Sequence, residues 1–480
     1  MNKQKQTSNA KFHIPKVPGL DARFLAFQSL QDTSIKTLPT DRIWLLAEKF
    51  DLPFRERSFA YELLSGCIKH RASLDHLIEL FSSRNVRQIA SAVLTLLRLG
   101  VYQLVYEDRV PDFAAVDTTC ELAKGFLGRP QVGFINAILR GIQRGIEGRG
   151  IEISAENIRF VLPTRLNTGI KFFKEILSAI DVPANYLSPA YSYPKWLVAR
   201  WLSKWDFDTL KQILAAGNAR PGLVCRPNRG KLDSPAAEKL AEILTQQSCQ
   251  VKVLPDSESV MLIENPPITE LEAFREGLFQ IQDPTACDVI RNLSLQPGIK
   301  ILDLCAGLGT KTTQLAEVTN DQAEIYASDR IASKLDKLKQ NAERLGLESI
   351  KTIVINELIS DQLKNFFDIV LLDVPCSNTG VFDRRPEARW RLKESDFQTY
   401  SRQSLKLLNQ AENLVKPTGQ IVFSTCSIDD EENADLIARF CRQTNWRVTR
   451  QHMQLPQVDP ATEKNIRTGG YWACLEKRTT

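Results

Sequence analysis

None of the ten cysteines stands with another as C-x-x-C, and their spacing has no metal-site rhythm, so no metal is expected. No stretch approaches the roughly 18 apolar residues that a membrane helix needs, which excludes a membrane partner. The polar start Met1-Asn2-Lys3-Gln4-Lys5-Gln6 leads into no apolar run of the signal-peptide kind. A one-sided charge is missing too. Lys and Arg number 62 against 57 Asp and Glu, a net charge of +5, which permits a nucleic-acid partner without demanding one. Internal repeats, long low-complexity tracts and heptad runs are all absent, so a monomer is expected. These absences point to a cytoplasmic protein with reduced thiols, in which a cysteine with a special neighbourhood is a candidate for chemistry.

At 480 residues the chain exceeds what one hydrophobic core usually organises. Residues 1–20 are polar and Lys-rich and read as a disordered tail. From Asp21 to Gly145 one helical pattern follows another. Phe59, Leu63, Leu64 and Ile68 keep helical spacing, as do Ile89, Val93, Leu96, Leu97 and Val101. An all-α domain of five to seven short helices over 21–165 is predicted. Residues 166–280 mix a helix opened by Pro194 with short strands at Gly222–Arg226, Val251–Leu254 and Val260–Glu264 around a helix at Ala236–Gln247. That pattern predicts linker helices and a small α+β module.

The rhythm changes over 281–480. Lys300–Cys305, Glu324–Asp329, Ile350–Asn356, Asp368–Asp373 and Gln420–Thr425 are near-continuous apolar runs with helical segments between them. Such runs suit strands buried on both faces, in an α/β domain with a doubly wound, mostly parallel sheet. Trp446–Thr449 and Tyr471–Glu476 would close it with an antiparallel pair. Ligands of such sheets bind beyond the carboxyl ends of the strands.

The first of these strands ends in Asp303-Leu-Cys-Ala-Gly-Leu-Gly-Thr-Lys-Thr. A nicotinamide fingerprint would need a small residue where Thr312 stands, and a P-loop would need glycines at Cys305 and Thr310. Asp303 before the loop suits a cationic, amine-bearing ligand better than a pyrophosphate, and Asp329 is placed to accept from a ribose diol. S-adenosylmethionine has both features and no phosphate; the alternative is a plain strand–helix turn that uses its glycines for packing. Further on, Asp373-Val-Pro-Cys-Ser-Asn-Thr-Gly and Ser424-Thr-Cys-Ser end two neighbouring strands, and each presents a cysteine, Cys376 or Cys426. A helix is expected within a few residues of Cys426, its positive end favouring a thiolate, with Asp429 to Glu432 in its first turn. A thiolate that adds to carbon 6 of a cytosine makes carbon 5 nucleophilic enough to take a methyl group, and Asp373 is placed to steady the ring. Either cysteine alone reads more readily as a small core residue; it is the two together, behind such a loop, that point to chemistry.

At these residues the sequence resembles the bacterial 16S ribosomal RNA cytosine-C5 methyltransferases of the Fmu/Sun (RsmB) type, within the wider family that contains the NSUN proteins. Gln282-Asp-Pro-Thr-Ala, Arg384-Arg-Pro-Glu-Ala-Arg-Trp and the two cysteine motifs carry the resemblance. It implies a Rossmann-like class I methyltransferase domain, with Cys426 as nucleophile and Cys376 aiding release. It also implies that Cys305, Ala306, Gly307, Leu308, Gly309, Thr310 and Lys311, with Asp329, Asn356 and Asp373, hold S-adenosylmethionine. Arg98-Leu-Gly-Val-Tyr and Asn136-Ala-Ile-Leu-Arg resemble a NusB-like RNA-binding domain, and Ala219-Arg-Pro-Gly-Leu an RRM-like module. That fusion points to 16S ribosomal RNA as partner. The same chemistry on transfer RNA, or an inactive RNA-binding assembly factor, are the alternatives. Three positions depart from the family pattern: Leu308 replaces a loop proline, Thr310 replaces a loop glycine, and Asn356 stands where an acid contacts the adenine side, so its amide or a shifted Glu357 must serve.

Overall fold

The computed structural model describes residues 20–31, 39–354 and 363–478. They fall into two compact units that divide between Phe207 and Asp208. Among the described residues, no helix is long and apolar enough to cross a membrane.

The first unit begins with the helices Leu20–Gln31, Pro39–Lys49, Phe54–Lys69, Arg71–Ser82, Ser91–Tyr106, Asp112–Lys124 and Arg129–Gly145. Ser91–Tyr106 buries residues around its whole circumference, including Leu96, Leu97, Leu99, Val101 and Leu104. A helix apolar on all sides belongs at a bundle's centre. Arg129–Gly145 instead buries only Ile135, Ile138, Leu139 and Ile142 and turns Arg140 to solvent. The helices stop at Gly145. A three-stranded antiparallel sheet follows, Ile146–Glu152, Val161–Pro163 and Thr168–Phe172, where continued helix was expected. These strands are short, and Gly148 and Gly150 interrupt the alternation that would mark one.

The second unit holds the α+β module and the large sheet. In the module, four antiparallel strands run in the order Gln250–Leu254, Ser259–Glu264, Leu223–Pro227, Phe279–Ile281. Helix Ala236–Gln246 packs Leu240 and Leu244 onto them.

The large sheet has strands β1 (Lys300–Asp303), β2 (Glu324–Asp329), β3 (Ile350–Val354), β4 (Phe367–Asp373), β5 (Val415–Thr425), β6 (Trp446–Gln454) and β7 (Gly470–Lys477). Their order is β3-β2-β1-β4-β5-β7-β6, parallel from β3 to β5, with β7 antiparallel to its neighbours. Helices α1 (Thr310–Val318), α2 (Ala332–Leu345), α3 (Glu394–Leu414) and α4 (Ala434–Gln443) connect them. On one face Leu302, Val370, Leu372 and Phe423 meet Leu408 of α3 and Leu436 of α4. On the other, Ile301, Ile325, Leu371 and Val422 meet Leu315 of α1. Burial on both faces is why these strands read as unbroken apolar runs, and each such side chain contributes about 1.5–3 kcal/mol. The strand order reverses between β1 and β4. There the register sets Leu371 opposite Asp303 and Asp373 opposite Ser424, so polar residues collect at one edge of the sheet.

Candidate active site

β1 delivers Asp303 to the switch point and the chain then turns through 304–309 into α1. Gly307 and Gly309 take the left-handed backbone, at φ +57° and +83°. A Cβ on Gly309 would lie 2.3 Å from Leu338 Cγ, whereas one on Gly307 would meet nothing within 4 Å. Gly309 therefore lets α1 pack on α2, while Gly307 borders open space that a ligand can enter. Leu308 beside it is exposed.

Asp303 is buried, and its Oδ2 accepts from Thr312 Oγ1 at 2.7 Å. Its Oδ1 has no partner among the described residues. Burial pushes this carboxyl up to about 7, against the Thr312 hydrogen bond. Asp329, at the end of β2, accepts from Gly307 N at 3.1 Å and Ile331 N at 2.9 Å. Ala306 N donates to Ser328 O at 2.8 Å, so the loop is pinned to β2. Burial, then the acids Asp303, Asp373 and Asp329, push the Cys305 thiol well up, so it stays protonated and inert. An orphaned buried carboxylate oxygen, a second carboxylate across the loop and open space over Gly307 fit an amine-bearing nucleoside. Asn356 lies outside the described residues.

Cys376 and Cys426 follow β4 and β5, and their Sγ atoms are 3.0 Å apart. Cys426 is half-buried, and its thiol donates to Asn378 Oδ1 at 3.4 Å. The hydrogen bond with Cys426, then burial, hold the Cys376 thiol well above its usual range. Asp373 accepts from Lys311 Nζ at 2.7 Å and from Ser424 Oγ at 2.8 Å. Burial opposes the Lys311 charge, but Asp373 and then Asp303 outweigh it and raise its pKa. Lys311 thus bridges the α1 loop and the cysteine strands, and the structure brings the expected residues Cys376, Cys426, Asp373 and Lys311 into one cluster.

One expectation is corrected. The α-helix after Cys426 begins only at Ala434, eight residues on, after a 3-10 turn at Asp430–Glu432. Its positive end therefore does not sit at the thiol. Acids in a row mark the start of a helix, and spacing cannot separate a 3-10 turn from a first α-helical turn. Nor is Glu432 an acid of a solvated first turn. It is buried, and its carboxylate accepts from Ser377 N at 2.9 Å and Ser377 Oγ at 2.5 Å. Burial lifts it to about 7.

Further residues carry no spacing signal at all. Arg226 of the module is buried and donates to both oxygens of Glu317 in α1, at 3.0 and 2.6 Å, and to Thr310 O at 3.2 Å. Arg389 is buried and donates to Gly217 O and Asn218 Oδ1, both at 2.8 Å. Arg384 donates to Asp283 at 2.9 Å, joining two of the motifs singled out above.

Three family models match the chain: 16S rRNA methyltransferase RsmB/F over residues 290–469, the NusB family over 20–144, and an RsmF/B-like ferredoxin-like domain over 193–269. A Synechocystis protein called probable ribosomal RNA small subunit methyltransferase B is 34% identical over 89% of this chain and 91% of its own. A Klebsiella pneumoniae ribosomal RNA small subunit methyltransferase B is 30% identical over 81% of this chain and 82% of its own. The crystal structure of NSun6 from Pyrococcus horikoshii with SFG shares the fold, with a TM-score of 0.52 at 18% identity over 60% of this chain and 100% of that one. With a relative 34% identical over about nine-tenths of both chains, the chain belongs to the RsmB/F family of S-adenosylmethionine-dependent RNA methyltransferases.

Proposed function

We propose that this chain methylates carbon 5 of a cytosine in 16S ribosomal RNA, in the cytoplasm and as a monomer, through a covalent bond between Cys426 and carbon 6. The observation that carries the reading is the pair of thiols 3.0 Å apart beside the Lys311–Asp373 ion pair. Residues 21–165 and 166–280 are taken to hold RNA, and 281–480 to do the chemistry. The names of the relatives support the substrate class.

Asp303, Asp329, Asn356, Asp373 and the loop 305–311 would hold S-adenosylmethionine, which supplies an electrophilic methyl group for carbon 5. Everything else falls to side chains of the chain and to the base. Cys426, the less buried thiol, bonds to carbon 6 as its proton passes to ring nitrogen 3. Asp373, with Lys311 against it, holds a proton at ring nitrogen 3, so the electrons pushed into the ring gather at carbon 5. After carbon 5 is methylated, the Cys376 thiol gives its own proton to solvent and the thiolate takes the carbon-5 proton. The electrons of that C–H bond re-form the ring double bond, the carbon 6–sulfur bond breaks with its pair returning to Cys426, and that sulfur takes back the proton from nitrogen 3.

The test is transfer of tritiated methyl from S-adenosylmethionine to 16S ribosomal RNA made by transcription, with bisulfite sequencing to place it. Cys426→Ala is expected to bind the cofactor and transfer nothing. Cys376→Ala is expected to leave RNA bonded to protein on a denaturing gel. Methylation retained by Cys426→Ala overturns the mechanism, and label in transfer RNA alone overturns the substrate.

A further inference from the structure

The proton-accepting role of Cys376 needs its sulfur held beside the base once Cys426 has bonded to carbon 6. The turn after β4 that carries it is not part of the sheet ladder, so something else must hold it. Residue 377 is the next link in the chain, and both its donors reach one carboxylate, its Oγ lying also 3.2 Å from Ser427 Oγ. Ser377 N–H donates to Glu432 Oε1 at 2.9 Å, and Ser377 Oγ–H to Oε2 at 2.5 Å. Glu432 comes from the segment after β5, fifty-six residues on from Cys376, and its side chain is buried. The same two segments meet again where Thr379 Oγ1 donates to Asp429 Oδ2 at 2.7 Å and lies 3.1 Å from Ser427 Oγ. Gly380 N donates to Cys426 O at 2.9 Å. The two cysteine loops are therefore laced through buried polar groups, and Glu432 is the acceptor that holds the residue next to Cys376.

A buried carboxylate is costly to keep, and helix initiation does not require this one, since α4 starts only after Asn433. Its placement is accounted for by what it holds. We propose that Glu432 is a positioning residue for the release step, fixing through Ser377 the turn that aims Cys376 at the carbon-5 proton. The inference rests on the role of Cys376 given under Proposed function. Burial raises the Glu432 carboxyl, while the hydrogen bonds from Ser377 and Ser427 favour its charge. Glu432 also raises the Cys376 thiol, after the larger effects of Cys426 and burial.

The experiment is single-turnover methylation of the 16S transcript by the full chain with labelled S-adenosylmethionine, quenched and run on a denaturing gel. Glu432→Ala should accumulate covalent RNA adduct by about tenfold over wild type, which is what one hydrogen bond to a charged group is worth. Glu432→Gln, which still accepts from Ser377 N–H, should release product at near the wild-type rate. Ser377→Ala removes one donor of the two and should show a smaller accumulation; it decides the matter if Glu432→Ala does not fold. Release unchanged in Glu432→Ala overturns the proposal. So does loss of methylation and adduct together in a folded variant, the result of a merely structural role. Cys376→Ala runs alongside: adduct there but not in the Glu432 and Ser377 variants refutes the role of Glu432, while no adduct in Cys376→Ala refutes the reading on which it rests.

Discussion

Cofactor affinity should rise with pH on the acid side of neutrality, because Asp303 must be ionised to meet a cationic amine. The carboxyl is buried and held at about 7, against an ordinary value of 3.8. Burial is the main cause. Thr312 lowers the value by donating to it, Asp373 raises it, and Lys311 lowers it. With a folded value of about 7, about one-tenth of the free protein carries the charge at pH 6 and about three-quarters at pH 7.5. Affinity should therefore rise about eightfold between those pH values, roughly 1.2 kcal/mol. The upper limit is kept at 7.5 because an α-amine itself titrates near 8. Stability runs the other way. A carboxyl raised on folding leaves the free protein's stability intact below its unfolded value, and stability is lost as pH rises through the folded one. The fall is at most about 4 kcal/mol between pH 4 and 7, so stabilisation by the cofactor should grow with pH over the same window. Isothermal titration calorimetry with S-adenosylmethionine at pH 6.0 and 7.5, on wild type and Asp303→Asn, reads the effect directly. Equal affinities at both pH values, or an undiminished pH dependence in Asp303→Asn, would refute the reasoning.

The two loop glycines should separate stability from binding. Gly309→Ala meets Leu338 at φ +83° and should lose about 2–5 kcal/mol in urea unfolding, whereas Gly307→Ala should lose about 1–2 kcal/mol, because its Cβ meets no protein atom. Equal losses would mean that α1 and α2 do not pack as described. Thr312→Val removes the donor that favours the Asp303 charge and should weaken cofactor binding about tenfold at pH 6 but only about threefold at pH 7.5, where more of the acid stays ionised. Arg226→Met strands the buried Glu317 charge and should cost about 3–5 kcal/mol, much of it recovered in the double variant with Glu317→Gln. Denaturation curves for the three proteins test this, and additive losses would show that the pair is not coupled.

The amino-acid sequence by itself determined the classes of structure and marked the residues of the candidate site. Unbroken apolar runs at 300–305, 324–329, 368–373 and 420–425 can be satisfied only by strands covered on both faces, so the doubly wound sheet was legible from periodicity. Asp303, Asp329, Asp373, Cys376 and Cys426 were legible because each ends such a run, and strand ends at a switch point are where a ligand meets the sheet. The choice of Cys426 over Cys376 as nucleophile came from resemblance to a family, not from spacing. The short strands after Gly145 were not legible, because glycines break their alternation. Tertiary structure alone decided what each polar group faces. A row of acids reads as the start of a helix whether or not one of them turns inward, and only the packing of the β4 and β5 loops buries Glu432 against Ser377. Likewise Arg226 lies 91 residues from Glu317, and no local pattern pairs them. Local periodicity reports which side of an element meets the core, whereas hydrogen-bond partners distant in the chain are chosen by the fold that brings them together.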